Sequence, residues 1–356
     1  MATEQTQLGD LVDGTEPSSR SALHTISVVI PMRNEEQYIG PCLDSLLRQT
    51  CHPDTYEILV VDGRSSDGSL DVVRQLQRDH GNIRILDNPA GIVPTAMNLG
   101  IASARGDLII RADAHSTYPP DYIATCVRTL EETGADNVGG PVTTVPADHS
   151  FQARLVAAVL SNRFGVGDSR FRTSQTSGYV DTVPFGAFRK QVLARIGYFN
   201  ENLGRNEDND LNARIWQSGG KVYITPKLAL NYFPARTFRR FLRNNYLSSE
   251  WHLYTLSRNP RAMGLRHLVP GCFVLTIALL LALSFSSRTA LLLLSLILTT
   301  YFLASVFFAV QDSKGLSPAV IMAMPFAFFG LHVTYGVATL AGFRFLIAKP
   351  SPKPTR

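Results

Sequence analysis

The amino-acid sequence predicts an α/β domain with a mostly parallel sheet, followed by C-terminal transmembrane helices. Three observations predict this fold class. Short β-branched runs alternate with stretches of helical periodicity over the first half of the chain, which is typical of parallel strands joined by crossover helices. An apolar run at residues 108–111 is soon followed by an acid and an imidazole, Asp113 and His115. Beyond residue 267 the chain becomes almost uniformly apolar, as expected of membrane spans.

The predicted strands and helices follow one another in chain order. The first strand, at residues 26–30, is stopped by Pro31 and leads into a helix for which we expect Asn34 to be the N-cap. The alternation then continues through a strand at 56–61, a Gly/Ser/Asp-rich loop at 62–69, a helix at 70–79, a strand at 83–86, a helix at 95–104 and a strand at 107–111.

A Rossmann dinucleotide-binding domain is the obvious alternative for such an alternation. No G-x-G-x-x-G motif follows the first strand, however. In its place the strand ends in Pro31, Arg33 and Glu35, side chains suited to a base, a ribose or a phosphate. Recognition of a nucleoside diphosphate by side chains and one metal ion therefore fits better than a phosphate-binding loop.

The strand at 107–111 is expected to deliver metal ligands to its carboxyl end. Ligands of open α/β sheets bind outside the carboxyl ends of the strands. The carboxylate of Asp113 and the imidazole of His115 are two residues apart and so point to the same side of an extended chain. A divalent ion held there would bridge them to a diphosphate. The alternative is a strand-ending turn with both side chains in solvent.

The formal net charge of +5 does not indicate nucleic-acid binding, because the excess of arginine is concentrated just ahead of the first apolar stretch. Arginines at this position anchor the preceding domain in the cytoplasm. Aromatic and leucine side chains alternate with them, which predicts interfacial amphipathic helices on anionic lipid headgroups; a solvated basic helix is the alternative. These arginines are Arg236, Arg239, Arg240, Arg243, Arg258, Arg261 and Arg266.

Three apolar stretches are long enough to cross a bilayer, at residues 268–285, 289–310 and 316–343. Three spans place the C-terminus outside the cell, whereas its basic residues favour the inside, so a re-entrant segment at 316–343 is the alternative. The expected organisation is a disordered tail at 1–24, the α/β domain at 25–235, interfacial helices at 236–266, three transmembrane helices at 267–343 and a basic tail at 344–356.

Motifs along the chain resemble, in order, those of the family-2 inverting glycosyltransferases of the GT-A fold. The later motifs are similar to those of the succinoglycan-biosynthesis glucosyltransferase branch. The matching segments are residues 26–36, 60–69, 97–101, 106–107, 113–115, 133–140, 164–167, 181–183 and 205–212.

The resemblance implies roles for individual residues. Asp208 matches the catalytic base, and Glu207, Gly186 and Trp251 would stand on the acceptor side. Asp113 stands at the first acid of the family's D-x-D motif, and His115 replaces the second, so these two would hold Mg²⁺ or Mn²⁺, with the imidazole favouring Mn²⁺. The implied nucleotide-sugar site consists of Pro31, Arg33, Glu35, Asp62, Asp67, Asn98, Arg111 and Asp113.

Two departures from the family pattern are visible. Gly63 occupies a place where many relatives have a second acid, which bears on base recognition. The Q-x-x-R-W motif is absent from the sequence, which argues against a processive polymer synthase. One base and no carboxylate nucleophile predict a single displacement with inversion at the anomeric carbon.

The expected protein is therefore a multi-pass enzyme of the inner (plasma) membrane with its catalytic domain in the cytoplasm. The resemblance implies transfer of a sugar, glucose by that branch, from a UDP-sugar to a lipid-linked or glycan acceptor in exopolysaccharide or cell-surface polysaccharide biosynthesis. A catalytically inactive, membrane-tethered sugar-nucleotide-binding or scaffold protein is the alternative.

Overall fold

The computed structural model describes residues 25–167, 169–173, 175–348 and 350; the tail expected at 1–24 and the residues after 350 lie outside this range. The strands are β1 (Ile26–Met32), β2 (Tyr56–Asp62), β3 (Ile83–Asp87), β4 (Leu108–Arg111), β5 (Ser116–Thr117), β6 (Asn137–Gly139), β7 (Val142–Thr144), β8 (Gly178–Tyr179), β9 (Ala187–Arg189), β10 (Val222–Ile224) and β11 (Leu230–Tyr232).

The α-helices are α1 (Ile39–Leu47), α2 (Ser69–Asp79), α3 (Val93–Ser103), α4 (Tyr122–Thr133), α5 (Phe151–Ser161), α6 (Arg163–Val166), α7 (Arg170–Thr173), α8 (Lys190–Ile196), α9 (Glu207–Gln217), α10 (Phe238–Ser249), α11 (His252–Arg258), α12 (Val269–Ser284), α13 (Arg288–Gln311), α14 (Pro318–Ala341) and α15 (Arg344–Ile347). Short 3-10 turns occur at Pro53–Thr55, Pro226–Leu228 and Leu265–His267.

The main sheet has the strand order β3-β2-β1-β4-β9-β6-β10-β8. Its first four strands are parallel to one another, whereas β9 runs antiparallel between β4 and β6 and β8 runs antiparallel to β10. The predicted alternation of parallel strands and helices is confirmed in this half. Because β1, β2 and β4 are parallel neighbours, their carboxyl ends meet at one edge.

Helices cover both faces of the sheet, which explains why its strands are continuous β-branched runs. Along β1, Val28 and Ile30 face a core shared with α1 and α4. Val29 faces the opposite way, into a core shared with α3, α8 and α9. All three side chains are fully buried. The sheet is therefore a rigid platform for the loops at its carboxyl edge.

A smaller sheet, with the strand order β5-β11-β7, lies beside the same edge. Strand β5 begins directly after His115, and the backbone N–H of Phe233 donates to the His115 carbonyl oxygen at 3.0 Å. This pairing brings Tyr232 to the imidazole, with 5.1 Å between the ring centroids. The small sheet thus holds the loop after β4 in place.

Two C-terminal helices are long and apolar enough to cross a membrane, Arg288–Gln311 and the continuous stretch Pro318–Ile347. The first predicted span corresponds to α12, an apolar helix of 16 residues. Pro325 lies inside α14 without interrupting it, so the break that we considered at this proline does not occur. The apolar side chains of α10 pack against α14 and α5, where Phe241 is buried.

Asn162 connects the α/β domain to these helices. Its side-chain amide donates to the carbonyl oxygen of Phe308 and to Oδ2 of Asp312, both at 2.9 Å. Next to it, the ring of Phe164 stacks on that of Phe308 with 5.4 Å between centroids. The C-terminal end of α13 is thereby tied to the end of α5.

Candidate active site

The carboxyl end of β4 and the first turn of α9 meet in a buried charged cluster. Arg111 donates from Nη2 to Oε1 of Glu207 at 2.9 Å and from Nη1 to Oδ1 of Asp208. Its guanidinium lies 5.7 Å from the ring centroid of Phe185 and 5.8 Å from that of Phe199. Because the planar fork of arginine fixes both of its partners, the two acids are held side by side.

The backbone around this cluster adopts an uncommon conformation. Phe185 has a φ angle of 64°, Gly186 of 61° and Asn206 of 66°. Residues other than glycine rarely adopt such positive φ angles, and those that do often lie at functional sites. Phe185 and Gly186 form a turn, and the backbone N–H of Phe185 donates to the carboxylate of Asp208. A Cβ atom at Gly186 would collide with Oδ1 of Asn137, so this turn requires glycine.

Asp208 has the electrostatic properties of a general base. Burial raises the pKa of its carboxyl to about 6, against the opposing effect of Arg111 and with a smaller contribution from the neighbouring Glu207. A base is most effective when its pKa lies near the working pH. Asp208 is therefore ionised at neutral pH and basic enough to accept a proton from a hydroxyl group.

Asp113 and His115 lie close together, but in a turn and not in the extended chain from which the sequence predicted their proximity. Oδ1 of Asp113 accepts the backbone N–H of His115 at 3.0 Å and lies 3.0 Å from its Nδ1. The same Nδ1 is 3.4 Å from Oε1 of Glu35. Burial alone would lower the pKa of His115, but the adjacent Asp113 raises it well above the ordinary value. The imidazole thus lies between the carboxylates of Asp113 and Glu35.

This donor set suits a metal ion that is shared with a substrate. Among the described residues, no group of three or more His, Cys, Asp or Glu side chains has the geometry of a complete metal site. Mg²⁺ in phosphate-binding sites often takes only one or two carboxylates and completes its shell with phosphate oxygens and water. Asp113 offers such a carboxylate, and His115 becomes a ligand when it releases its proton.

Glu35, Asp113 and His115 line a cleft of about 490 Å³ at the carboxyl edge of the sheet. We call it the donor cleft. Most residues expected to bind the nucleotide sugar are in its wall: Pro31, Arg33, Glu35, Asp67, Arg111 and Asp113. Nε of Arg33 is buried and has no hydrogen-bond partner among the described groups, so it is available to a ligand.

Asp62 and Asn34 have structural roles in the loop beside this cleft. The carboxylate of Asp62 accepts the Ser65 hydroxyl at 2.6 Å, and Asp62 is not among the described lining residues. The prediction that Asn34 caps the first helix is wrong: Tyr38 occupies that position. Asn34 instead has φ of 56° and accepts the backbone N–H of Ser66 at 2.8 Å. Both side chains fix the loop after β2 against the loop after β1.

Asn98 and Trp251 also differ from expectation. The Asn98 amide donates to the Phe199 carbonyl at 2.9 Å and to Glu201 at 2.8 Å, which fastens α3 to the loop before α9. Trp251 is buried against Leu203, Tyr254 and Phe345. Neither side chain belongs to the described walls of the donor cleft or of the second cavity, so the roles predicted for them at the donor and acceptor sites stay predictions.

A second cavity of about 820 Å³ adjoins the first. We call it the apolar chamber, because aromatic and aliphatic side chains of α12, α13 and α14 form one of its walls, including Phe273, Tyr301 and Leu331. Glu207 and Asp208 stand at its opposite end. The acceptor-side position expected for Glu207 is consistent with this arrangement.

Sequence reasoning missed Arg172, which lines both cavities. No motif accompanies it, and its position depends on how α7 packs against β7 and β11. Arg205 likewise lines both cavities. It begins the segment Arg205-Asn206-Glu207-Asp208, in which the sequence predicted roles for the two acids and none for the arginine.

Comparison with known proteins identifies the family. The model for "Glycosyl transferase family 2" matches residues 27–197. Glycosyltransferase AglE of Haloferax volcanii is 36% identical over 64% of this chain and 72% of its own length. The chain belongs to glycosyltransferase family 2. The succinoglycan biosynthesis protein ExoA of Rhizobium meliloti is 31% identical over 58% of this chain, a match that spans 62% of that relative's length.

The family-2 fold is also visible in solved structures. The mannosyltransferase PcManGT from Pyrobaculum calidifontis, in complex with GDP-Man and Mn²⁺, matches with a TM-score of 0.62 over 92% of this chain and 88% of that one, at 18% identity. The resemblance inferred from the motifs and the predicted GT-A fold are thus confirmed. The family-2 chain described here is a glycosyltransferase, and Asp113 lies in its donor cleft.

Proposed function

We propose that this glycosyltransferase works at the cytoplasmic face of the inner (plasma) membrane and transfers a sugar from a nucleoside-diphosphate donor to a lipid-linked acceptor. One observation carries the proposal: the donor cleft and the apolar chamber meet at Glu207, which lines both. A polar cleft fits a nucleotide sugar, and a chamber walled by apolar helices fits a lipid. The reacting atoms of both substrates would meet beside Asp208.

The chain's own residues account for a single displacement. Asp208 takes the proton of the acceptor hydroxyl while the hydroxyl oxygen bonds to the anomeric carbon from the opposite side to the leaving group. The bond between that carbon and the diphosphate oxygen breaks, and the diphosphate leaves with the electron pair, so the anomeric centre inverts. A divalent ion held by Asp113 and His115 supplies charge neutralisation on the leaving diphosphate.

For the donor we propose a UDP-sugar, with glucose as the sugar and the synthesis of cell-surface polysaccharide as the setting. The relative named for succinoglycan biosynthesis supports this choice. The mannosyltransferase with the same fold holds GDP-Man and Mn²⁺, which makes GDP-mannose the first competing donor and Mn²⁺ the first ion to supply.

The test uses membranes that contain the full-length protein, a lipid extract and labelled UDP-glucose, UDP-galactose, GDP-mannose or dTDP-sugars. We expect label to enter the organic phase with one donor in the presence of Mg²⁺ or Mn²⁺, and to stop entering when EDTA is added. Asp113→Ala is expected to reduce the rate on the order of 10³-fold, the effect of losing ~4 kcal/mol of charge stabilisation. Asp71→Ala, at an exposed acid on α2, is the matched control.

Three outcomes would count against the proposal. Label that appears only in water-soluble glycan would contradict the lipid acceptor. Full activity in EDTA would contradict the metal. Absence of turnover with every donor and ion would favour the sugar-nucleotide-binding scaffold instead.

A further inference from the structure

The two cavities adjoin, and five of the described residues contribute to the walls of both. These shared residues are Phe171, Arg172, Pro184, Arg205 and Glu207, and we call them the neck. Asp208 itself lines the apolar chamber, so an acceptor that lies in the chamber meets a donor in the cleft at this shared wall. The charges of the neck therefore determine which polar group an acceptor can carry.

Arg172 is a half-buried cation without an acidic partner among the described residues. Its guanidinium lies 5.4 Å from the ring centroid of Phe171 and 5.6 Å from that of Tyr232, and Nη1 donates to the Thr144 hydroxyl at 3.2 Å. No described carboxylate forms an ion pair with it. A buried charge is costly unless it is paired, and burial accordingly lowers the pKa of Arg172.

Arg205 is the second cation of the neck. Within the described part of the chain it has neither a hydrogen bond nor an ion pair from its side chain. The one acid of the neck, Glu207, is already bound by Nη2 of Arg111 at 2.9 Å. The neck thus presents two guanidinium groups and no free counter-charge among its own residues.

We propose that Arg172 and Arg205 bind the phosphate of the acceptor, so that the substrate class is a lipid phosphate or diphosphate and not a neutral glycolipid. This inference rests on the proposed function. Guanidinium groups bind phosphate through paired, charge-assisted hydrogen bonds. With its phosphate in the neck, a lipid places its tail in the apolar chamber and its first sugar beside Asp208.

The diphosphate of the donor is the competing ligand for these arginines. Other arginines are available for the donor's diphosphate. Arg33 and Arg240 line the donor cleft and are not among the described residues of the apolar chamber. Nε of Arg33 is itself buried without a partner. Arg172 and Arg205 differ from them in facing the chamber as well, and this position favours the acceptor.

Calorimetry on the full-length protein in detergent separates these ligands. The probes are farnesyl phosphate, farnesol, UDP and GDP, and the variants are Arg172→Gln, Arg205→Gln and the charge-conserving Arg172→Lys. Arg74→Gln, at an exposed arginine of α2, is the matched control. We expect each glutamine substitution to reduce the affinity for farnesyl phosphate by about tenfold or more, the effect of losing a charge-assisted hydrogen bond. The affinities for farnesol and for the nucleotides should change less than about twofold in every variant. Arg172→Lys should retain most of the affinity for farnesyl phosphate.

Several results would overturn the inference. These are unchanged farnesyl phosphate affinity in both glutamine variants, nucleotide affinity that falls in parallel, or farnesol that binds the wild-type protein as tightly as farnesyl phosphate. If Arg172→Gln does not fold, Arg205→Gln decides. Failure of the proposed function has a different signature: the wild-type protein binds neither isoprenoid and incorporates no label into lipid.

Discussion

At the scale of single residues, the pKa of Asp208 determines how the rate depends on pH. Burial raises that pKa to about 6, and a base must be deprotonated to act. We expect kcat/KM for transfer to rise about tenfold per pH unit below pH 6 and to level off above it. Asp208→Asn should reduce transfer by roughly 10³-fold while donor affinity stays nearly constant.

Glu207→Gln provides the control for this assignment. Because the charge of Glu207 raises the pKa of Asp208, its removal should move the midpoint of the pH profile to lower pH. A profile that is flat between pH 5 and 8, or donor affinity that is lost together with turnover in Asp208→Asn, would assign Asp208 to the donor site.

We propose that Arg111 is a positioning residue, since its guanidinium binds both Glu207 and Asp208. Arg111→Lys keeps the charge but loses the two-pronged geometry, so we expect kcat to fall about 10–100-fold with KM for the donor nearly unchanged. Steady-state kinetics over donor concentration measure this split. A rise in KM with unchanged kcat would return Arg111 to the nucleotide-sugar site that the sequence suggested.

The turn before β9 is an element whose effect on stability can be isolated with two glycines. Gly186 and Gly134 have the same φ of 61°, but a Cβ at Gly134 meets nothing within 4 Å, whereas one at Gly186 collides with Asn137. Gly134→Ala should cost about 1 kcal/mol, the penalty for a left-handed backbone. Gly186→Ala should lower Tm further and reduce transfer, because the same turn carries the Phe185 N–H to Asp208. Equal Tm values for the two variants in thermal unfolding would contradict this.

Local signals in the sequence were enough for the first four strands and for Asp113, which comes two residues after a buried run. Asp208 was assigned through the resemblance of residues 205–212 to a family motif. Contacts between segments that are distant in the chain could not be predicted from local patterns. Asn98 resembles a site residue until its amide is seen to bind the backbone of Phe199, 101 residues later. Arg172 belongs to no pattern at all, since only the packing of α7 places it at the neck.

For the whole molecule, we propose that the C-terminus lies in the cytoplasm. Helix α14 runs alongside α10: Gly330 lies against Phe238, and Gly342 lies against the backbone of Glu250. The middle and the C-terminal end of α14 therefore contact segments that precede the first apolar helix, which favours a helix that lies along the membrane surface. Exposed side chains such as Phe326 and Phe343 would face lipid. This arrangement also keeps the basic Arg344 on the inside.

Reporter fusions after residues 286, 314 and 348 of the full-length protein test this topology. We expect an outside signal after 286 and cytoplasmic signals after 314 and 348, with α12 and α13 as a hairpin. The three spans predicted from the sequence differ only in the last fusion, which they place outside. A cytoplasmic signal after 286 would show that α12 does not cross.

The amide of Asn162, through its bonds to Phe308 and Asp312, has a consequence for product length. On the proposed topology, this tie would hold Asp208 at a fixed height above the bilayer, and we expect Asp208 to reach only the sugar next to the lipid phosphate of the proposed acceptor. Once one unit is added, the new terminal sugar extends past the base. The enzyme should therefore add one sugar to each acceptor. Excess donor should yield lipid extended by a single sugar residue, as mass spectrometry of the organic phase would show.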